Sequence, residues 1–184
     1  MANIARALSA AGASLELSRD AAVIASAKKI VLPGVGSFAA ARAWLRDTAL
    51  DNALCDAVRN GAFLLGICVG HQLLFDSSDE MGVTRGLGLV RGDVHRMEGA
   101  LPVPQIGWNR VTARGPLFDG VEHEAFYFVN SYAARNVSAE VATADYDGPF
   151  TAAVQHGRVF GVQFHPEKSS GAGLRVLRNF VACN

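Results

Sequence analysis

The stretch Phe63-Leu64-Leu65-Gly66-Ile67-Cys68-Val69-Gly70-His71-Gln72-Leu73-Leu74-Phe75 changes its period in the middle. Phe63 to Ile67 is an unbroken apolar run, the pattern of a short buried strand. Val69 to Phe75 reads as the start of a helix. Cys68 stands on the join, with one glycine two residues before it and another two after. A residue on a sharp strand-to-helix turn is pushed out of the backbone's path. Small neighbours let the chain pass close beneath it, the logic of the G-x-S-x-G elbow. Here the pattern is G-x-C-x-G. The helix that opens there would turn free N–H groups and its positive dipole end toward the sulfur. The Val69 N–H would be placed to donate to an oxyanion formed when Cys68 attacks a substrate. The spacing suits a nucleophile.

Working outward, the first half alternates strand and helix. Asn3 to Ala11 has helical spacing and stops at Gly12. Ser14 to Leu17 reads as a short strand, and Asp20 as the cap of a brief helix through Ala27. Lys29 to Leu32 reads as a buried strand that ends in Pro33-Gly34-Val35-Gly36. Ser37 caps a helix to about Asp47, and Asp51 another to about Asn60. Such alternation predicts a parallel α/β sheet. The second half reads as strands at Gly88–Met97, Gln105–Thr112, Phe126–Tyr132, Glu140–Tyr146, Ala152–Gln155 and Arg158–Phe164. His156-Gly157 is a hairpin turn, and Gly173 to Val181 is a closing helix. These strands extend the sheet in antiparallel fashion. The expected fold is one α/β domain over residues 1–184, a three-layer, doubly wound mixed sheet.

Composition narrows the class without naming an activity. The chain has 184 residues, 17 basic and 17 acidic, so its formal net charge is zero and nothing predicts bulk attraction to nucleic acid or to an anionic membrane. No stretch approaches the roughly 20 apolar residues of a membrane span, and no secretory signal pattern opens the chain. Three cysteines at wide spacing predict no disulfide framework. A reducing cytoplasm is the expected setting. The cysteines and histidines show no zinc-like pairing, so no metal is expected. The Gly34–Gly36 turn lacks the lysine of a phosphate loop.

A cysteine nucleophile needs a base. Of five histidines, His165 has the most suitable context. It follows the apolar run Val159 to Phe164, and Pro166-Glu167 comes next. Proline stiffens the exit, and Glu167 can fold back to accept from the imidazole and fix its tautomer, the third role of a triad. His71, one turn beyond Cys68, is expected to face away from it. Cys55 and Cys183 lie on helices without an elbow.

These residues resemble the class I, triad-type glutamine amidotransferases. GICVGHQLLF resembles the family's nucleophile segment and VFGVQFHPEKS its base segment. VLPGVGSF, PQIGWN, FYFVNSY and DYDGPF resemble, in order, the branch that forms the glutaminase subunits of imidazole glycerol phosphate synthases. The resemblance implies glutamine as substrate, a thioester on Cys68, and His165 and Glu167 as the rest of a triad. It implies an oxyanion hole from Val69 and a backbone N–H of the Gly34–Gly36 loop, assigned to Gly36. Gly36, Gln72, Ser131 and Tyr132 are the implied glutamine contacts. It further implies no cofactor, and a separate (β/α)8 cyclase subunit that receives the ammonia in a heterodimer. Asn3, Gln105, Trp108, Asn109 and Lys168 are the implied docking residues.

Two departures accompany it. The family has a histidine where this chain has Asn130. Its opening strand, which ends in a D-Y-G-M-G-N turn, has no counterpart ahead of Met1-Ala2-Asn3. The sheet is therefore expected to lack that strand, an upstream start or a truncation would account for it, and the isolated chain is expected to be unstable or to depend on its partner. Two other functions fit the motifs less closely: a non-catalytic subunit that only docks, and an amidotransferase or γ-glutamyl hydrolase of another pathway.

Overall fold

The computed structural model describes residues 2–135 and 137–184. Met1, where the sequence reading opens the chain, lies outside the described residues, as does Asn136. The first half holds α1 (Ala2–Ala10), α2 (Ala21–Ser26), β1 (Lys29–Gly34), α3 (Phe38–Asp47), α4 (Leu50–Arg59), β2 (Phe63–Cys68) and α5 (Val69–Gln72). Then come β3 (Ser77–Ser78), β4 (Thr84–Arg85), β5 (Asp93–Arg96), β6 (Gln105–Ala113), β7 (Ala125–Asn130) and β8 (Tyr132–Ala134). The last elements are β9 (Glu140–Asp145), β10 (Pro149–His156), β11 (Val159–Val162) and α6 (Ser170–Ala182).

Seven strands form the main sheet in the order β1-β2-β11-β10-β9-β6-β7. The first three are parallel and the rest antiparallel; β11, a second-half strand expected to be antiparallel, runs parallel to β2 and antiparallel only to β10. A small sheet, β4-β3-β5-β8, stands beside it. The mixed α/β architecture is the expected one. Register then sets the chemistry. Gly34 lies opposite Cys68 across the β1–β2 pair, and Val162 lies opposite Ile67 across β2–β11. The glycine turn, the nucleophile and the His165 segment therefore leave the sheet side by side at the carboxyl ends of three neighbouring strands, where ligands sit in such sheets.

The local signals explain most elements. Asp20 caps α2 by accepting from the Ala22 N–H at 2.8 Å, and Ser37 caps α3 by accepting from Ala40. Phe126, Phe128, Phe150 and Phe164 pack together in the buried core, with Phe126 and Phe164 stacked at 4.1 Å.

Several boundaries differ from the sequence reading. Ser14–Leu17 is not a strand, and Leu17 is 73% exposed. A strand needs a partner edge, and among the described residues no strand pairs with the outer edge of β1. Asp51 does not cap α4. Ala49 does, and Asp51 sits in the first turn, where its carboxylate pairs with Arg42 at 2.8 Å. The helix after Cys68 is only four residues long, and turns follow it from Leu73. The Gly88–Met97 strand shrinks to β5, and the Phe126–Tyr132 strand breaks at Ser131 into β7 and β8.

Candidate functional site

Cys68 occupies the elbow in a conformation that side chains seldom adopt, with φ 55° and ψ −113°. Strain of this kind persists only where the surroundings over-determine it. The two flanking glycines provide that constraint. A Cβ on Gly66 would collide with the Gly70 backbone, and one on Gly70 with the Leu32 carbonyl. The chain can make the turn only because both are bare. Cys68 is 6% exposed, and its sulfur lies 3.9 Å from the Val129 carbonyl oxygen.

His165 is held by polar contacts. Its N–H donates to the Tyr127 carbonyl at 2.9 Å, and its own carbonyl accepts from the Ser169 hydroxyl at 2.7 Å. Ser169 in turn accepts from the Tyr127 N–H at 3.0 Å, which ties the turn back to β7. The imidazole Nδ1 lies 3.0 Å from the Glu167 carboxylate. That bond fixes the tautomer and leaves Nε2 for the Cys68 side chain, with which the ring also interacts. Burial pulls the His165 pKa down, but Cys68 and Glu167 together outweigh it and raise the value to about 9. Burial pushes the Glu167 carboxyl up, and the bond to His165 with the nearby Lys168 more than offsets that, so its pKa falls. The geometry joins a buried sulfur, an imidazole that favours the charged form, and a carboxylate.

A cavity of about 300 Å³ opens over these groups. Of the residues anticipated from sequence, Gly36, Cys68, Val69, Gln72, Ser131, Tyr132 and His165 line it. Glu167 stands behind His165. Four lining residues were missed: Val35, Glu80, Pro104 and Val129. Glu80 matters most. Its carboxylate accepts from the Phe38 N–H at 2.6 Å and brings a negative charge to the cavity from the loop before β4. Nothing in the local sequence marks it, because long-range packing delivers it. A second hollow of about 400 Å³, bounded by Arg96, Met97, Glu98, Gly99, Leu101 and Val103, contains no nucleophile. Among the described residues, no group of histidines, cysteines and carboxylates could hold a metal.

Asn130 does not line the cavity. It is 6% exposed, and its amide donates to the Tyr132 carbonyl at 3.1 Å. His71 is fully buried, packs edge-on against Phe75, and has no hydrogen-bond partner on either ring nitrogen. Burial drives its pKa down to about 3, so it is a neutral packing group and no base.

The anticipated docking residues divide. Trp108 is 55% exposed on β6, edge-on to Tyr127 at 6.1 Å, and the Lys168 ammonium lies 5.6 Å from the same Tyr127 ring. These three form one surface cluster beside the His165 turn. Ile106, missed from sequence, is 64% exposed on the same face. Asn3 is exposed on α1, which packs against the Pro166–Lys168 turn. Asn109 is half-buried and donates to the Asp145 carbonyl. Gln105 is 3% exposed and points inward opposite Asn130, so it is no surface contact.

Comparison with known proteins adds a lineage to this geometry. The family described as "Glutamine amidotransferase class-I" matches residues 1–183. The chain is 44% identical over 189 residues to "Imidazole glycerol phosphate synthase subunit HisH" of Geobacillus kaustophilus (strain HTA426), covering 97% of this chain and 90% of that protein. It is 45% identical over 178 residues to the protein of the same description from Caulobacter vibrioides, covering 92% and 84%. Among solved structures, "Crystal structure of glutamine amidotransferase" shares the fold at a TM-score of 0.78 with 20% identity, covering 98% of this chain and 91% of that one.

Proposed function

The chain belongs to the class I glutamine amidotransferases, and from that premise we infer that it is the glutamine amidotransferase subunit of an imidazole glycerol phosphate synthase, serving histidine biosynthesis. The observation that carries the chemistry is the arrangement of Cys68 and His165 around one cavity, with Glu167 on the far nitrogen of the imidazole.

In this reading glutamine enters with its side-chain carboxamide over Cys68. The His165 imidazole takes the thiol proton, and the thiolate attacks the amide carbon. The oxyanion that forms is met by the Val69 N–H and by a backbone N–H at Gly36, whose positive φ of 88° suits a turn that can aim its N–H inward. The imidazolium then gives its proton to the departing nitrogen, and ammonia leaves. Neutral His165 next removes a proton from water, the water attacks the thioester, and glutamate is released with the thiol restored. Glu167 keeps the ring in the tautomer that both steps need. Gln72, Ser131 and Tyr132 hold the substrate, and Glu80 offers a counter-charge to its α-ammonium.

Ammonia passes to a (β/α)8 cyclase subunit in a heterodimer in the cytoplasm. The cyclase covers the cavity mouth and rests on Ile106, Trp108 and Lys168, whose exposed apolar and cationic groups lie beside the His165 turn. Glutamate release from glutamine tests the whole reading. Release that requires the cyclase and its nucleotide ligand, and that vanishes in Cys68→Ala, is the expected result. A folded, complexed wild-type chain that releases no glutamate would leave a docking subunit without catalysis.

A further inference from the structure

Gln163 lies immediately past β11, two residues before His165, and is fully buried. It does not line the cavity. Yet its side chain touches two residues that do. Its Oε1 accepts from Gln72 Nε2 at 3.0 Å, and its Nε2 faces the Cys68 sulfur at 4.0 Å.

The two ends of a carboxamide are nearly alike in shape, so their directions must be argued from the partners. Here one backbone atom settles them. The Tyr132 carbonyl oxygen can only accept, and it lies 3.0 Å from the Gln72 amide, so Gln72 must turn Nε2 toward it. The second N–H on that nitrogen meets Gln163, whose near end must then be its oxygen. The Gln163 nitrogen is thereby left for the sulfur. Both N–H groups of Gln72 are now used, and its Oε1 is the end that remains for the cavity. The Tyr132 carbonyl thus sets the polarity of two side chains in series. An acceptor in the cavity suits the N–H groups of a substrate carboxamide, which a product carboxylate lacks. An N–H facing the sulfur supports negative charge on it.

We propose that Gln163 is a positioning residue for glutamine hydrolysis: it locks the Gln72 carboxamide with its oxygen toward the substrate and presents an N–H to the Cys68 sulfur. This rests on the glutaminase function inferred above. Gln163 touches no substrate and acts through Gln72 and Cys68.

The test uses the complex with the cyclase. Gln163→Met keeps the length of the side chain and removes both polar contacts. KM for glutamine should rise about tenfold and kcat should fall about tenfold. The rate at which iodoacetamide alkylates Cys68 at neutral pH, followed by mass spectrometry at that residue, should fall several-fold. Gln163→Glu separates the two contacts. It keeps an oxygen for Gln72, so KM should stay within about twofold of wild type, while kcat and the alkylation rate fall as in the Met variant. In a Gln72→Met background the KM effect of Gln163→Met should vanish. A Gln163→Met protein with wild-type KM and alkylation rate, changed only in melting temperature, overturns the proposal. Should that variant not fold, Gln163→Glu decides alone, and an unchanged alkylation rate overturns it. Failure of the glutaminase function looks different: wild-type complex would release no glutamate, while alkylation of Cys68 would still respond to Gln163.

Discussion

The two arms that bring Cys68 and His165 to one cavity, named for their proposed roles as nucleophile and base, are built by opposite means. The nucleophile arm, β2 into α5, is shaped by sterics. Cys68 adopts a disfavoured backbone conformation, and bare glycines on each side allow the close packing that enforces it. The base arm, β11 into the Pro166–Lys168 turn, is shaped by hydrogen bonds, with Tyr127, Ser169 and Glu167 each holding one part of His165. The histidines on the two arms repeat the contrast. His71 has no polar partner and is held neutral, whereas His165 has two and favours its charged form. Sterics tolerate no added atom but need no particular charge. Hydrogen bonds tolerate some movement but depend on protonation.

The largest effect separates strain from chemistry on the nucleophile arm. Cys68→Ala and Cys68→Gly should both abolish glutamate release, by at least about 10³-fold. Their stabilities should differ. Glycine relieves the positive φ that alanine retains, so Cys68→Gly should unfold at higher urea concentration than Cys68→Ala, by about 1 kcal/mol, despite its smaller side chain. Equal stabilities would mean that the elbow stores no strain.

On the base arm, Glu167→Gln keeps the shape and removes the charge. The kcat for glutamate release should fall by about 10- to 100-fold, because the imidazole loses the acceptor that fixes its tautomer. The same change should alter the alkaline limit of stability. A raised folded-state pKa contributes stability that is fully present below the unfolded value near 6.5 and is lost as pH climbs through about 9. In Glu167→Gln this alkaline loss should be smaller and should set in at lower pH, as seen in urea melts between pH 7 and 10.

His71 predicts the opposite sign. Its folded-state pKa of about 3 lies below its ordinary 6.5, so the neutral form belongs to the fold. Its contribution to stability is present above pH 6.5 and is lost as pH falls toward 3. At pH 5 the loss is about 2 kcal/mol relative to neutral pH. His71→Met, an apolar replacement of similar bulk, should remove this component from the urea midpoint measured against pH. A midpoint with the same acid slope in both proteins would show that His71 finds a partner the packing does not reveal.

Legibility followed the same division. The nucleophile arm was readable because a strand period and a helix period meet at Cys68 with glycines at fixed offsets. The contact between His165 and Glu167 on the base arm was readable because His165, Pro166 and Glu167 are neighbours in sequence. Glu80 and Gln163 were not recognised, since each reaches the site through contacts across the fold that no local pattern encodes. Ser14–Leu17 failed for a related reason: alternation describes a strand's faces but cannot supply the neighbouring strand it must pair with. Asp51 was read as a cap because its type suits one, and its pairing with Arg42 is tertiary.

Strand β6 inverts the usual alternation, and this supports the last and smallest prediction. Ile106 and Trp108 face outward, while the amide of Gln105 is buried and that of Asn109 half-buried. A strand that exposes its large apolar side chains and turns polar ones inward saves little on its own, and its outer face gains only when something covers it. Trp108 also rests on Tyr127, whose backbone anchors His165, so the exposed patch continues into the base arm. Trp108→Ala should therefore leave the stability of the isolated chain within about 0.5 kcal/mol, as expected for a half-exposed side chain. It should weaken cyclase binding about tenfold, read by titration of the cyclase, because aromatic anchors near the centre of an interface carry much of its energy. Lys168→Ala, at the rim of the same cluster, should cost less than Trp108→Ala. Unchanged affinity in both variants would move the docking face away from β6, while a loss of stability in Trp108→Ala would make the tryptophan part of the fold.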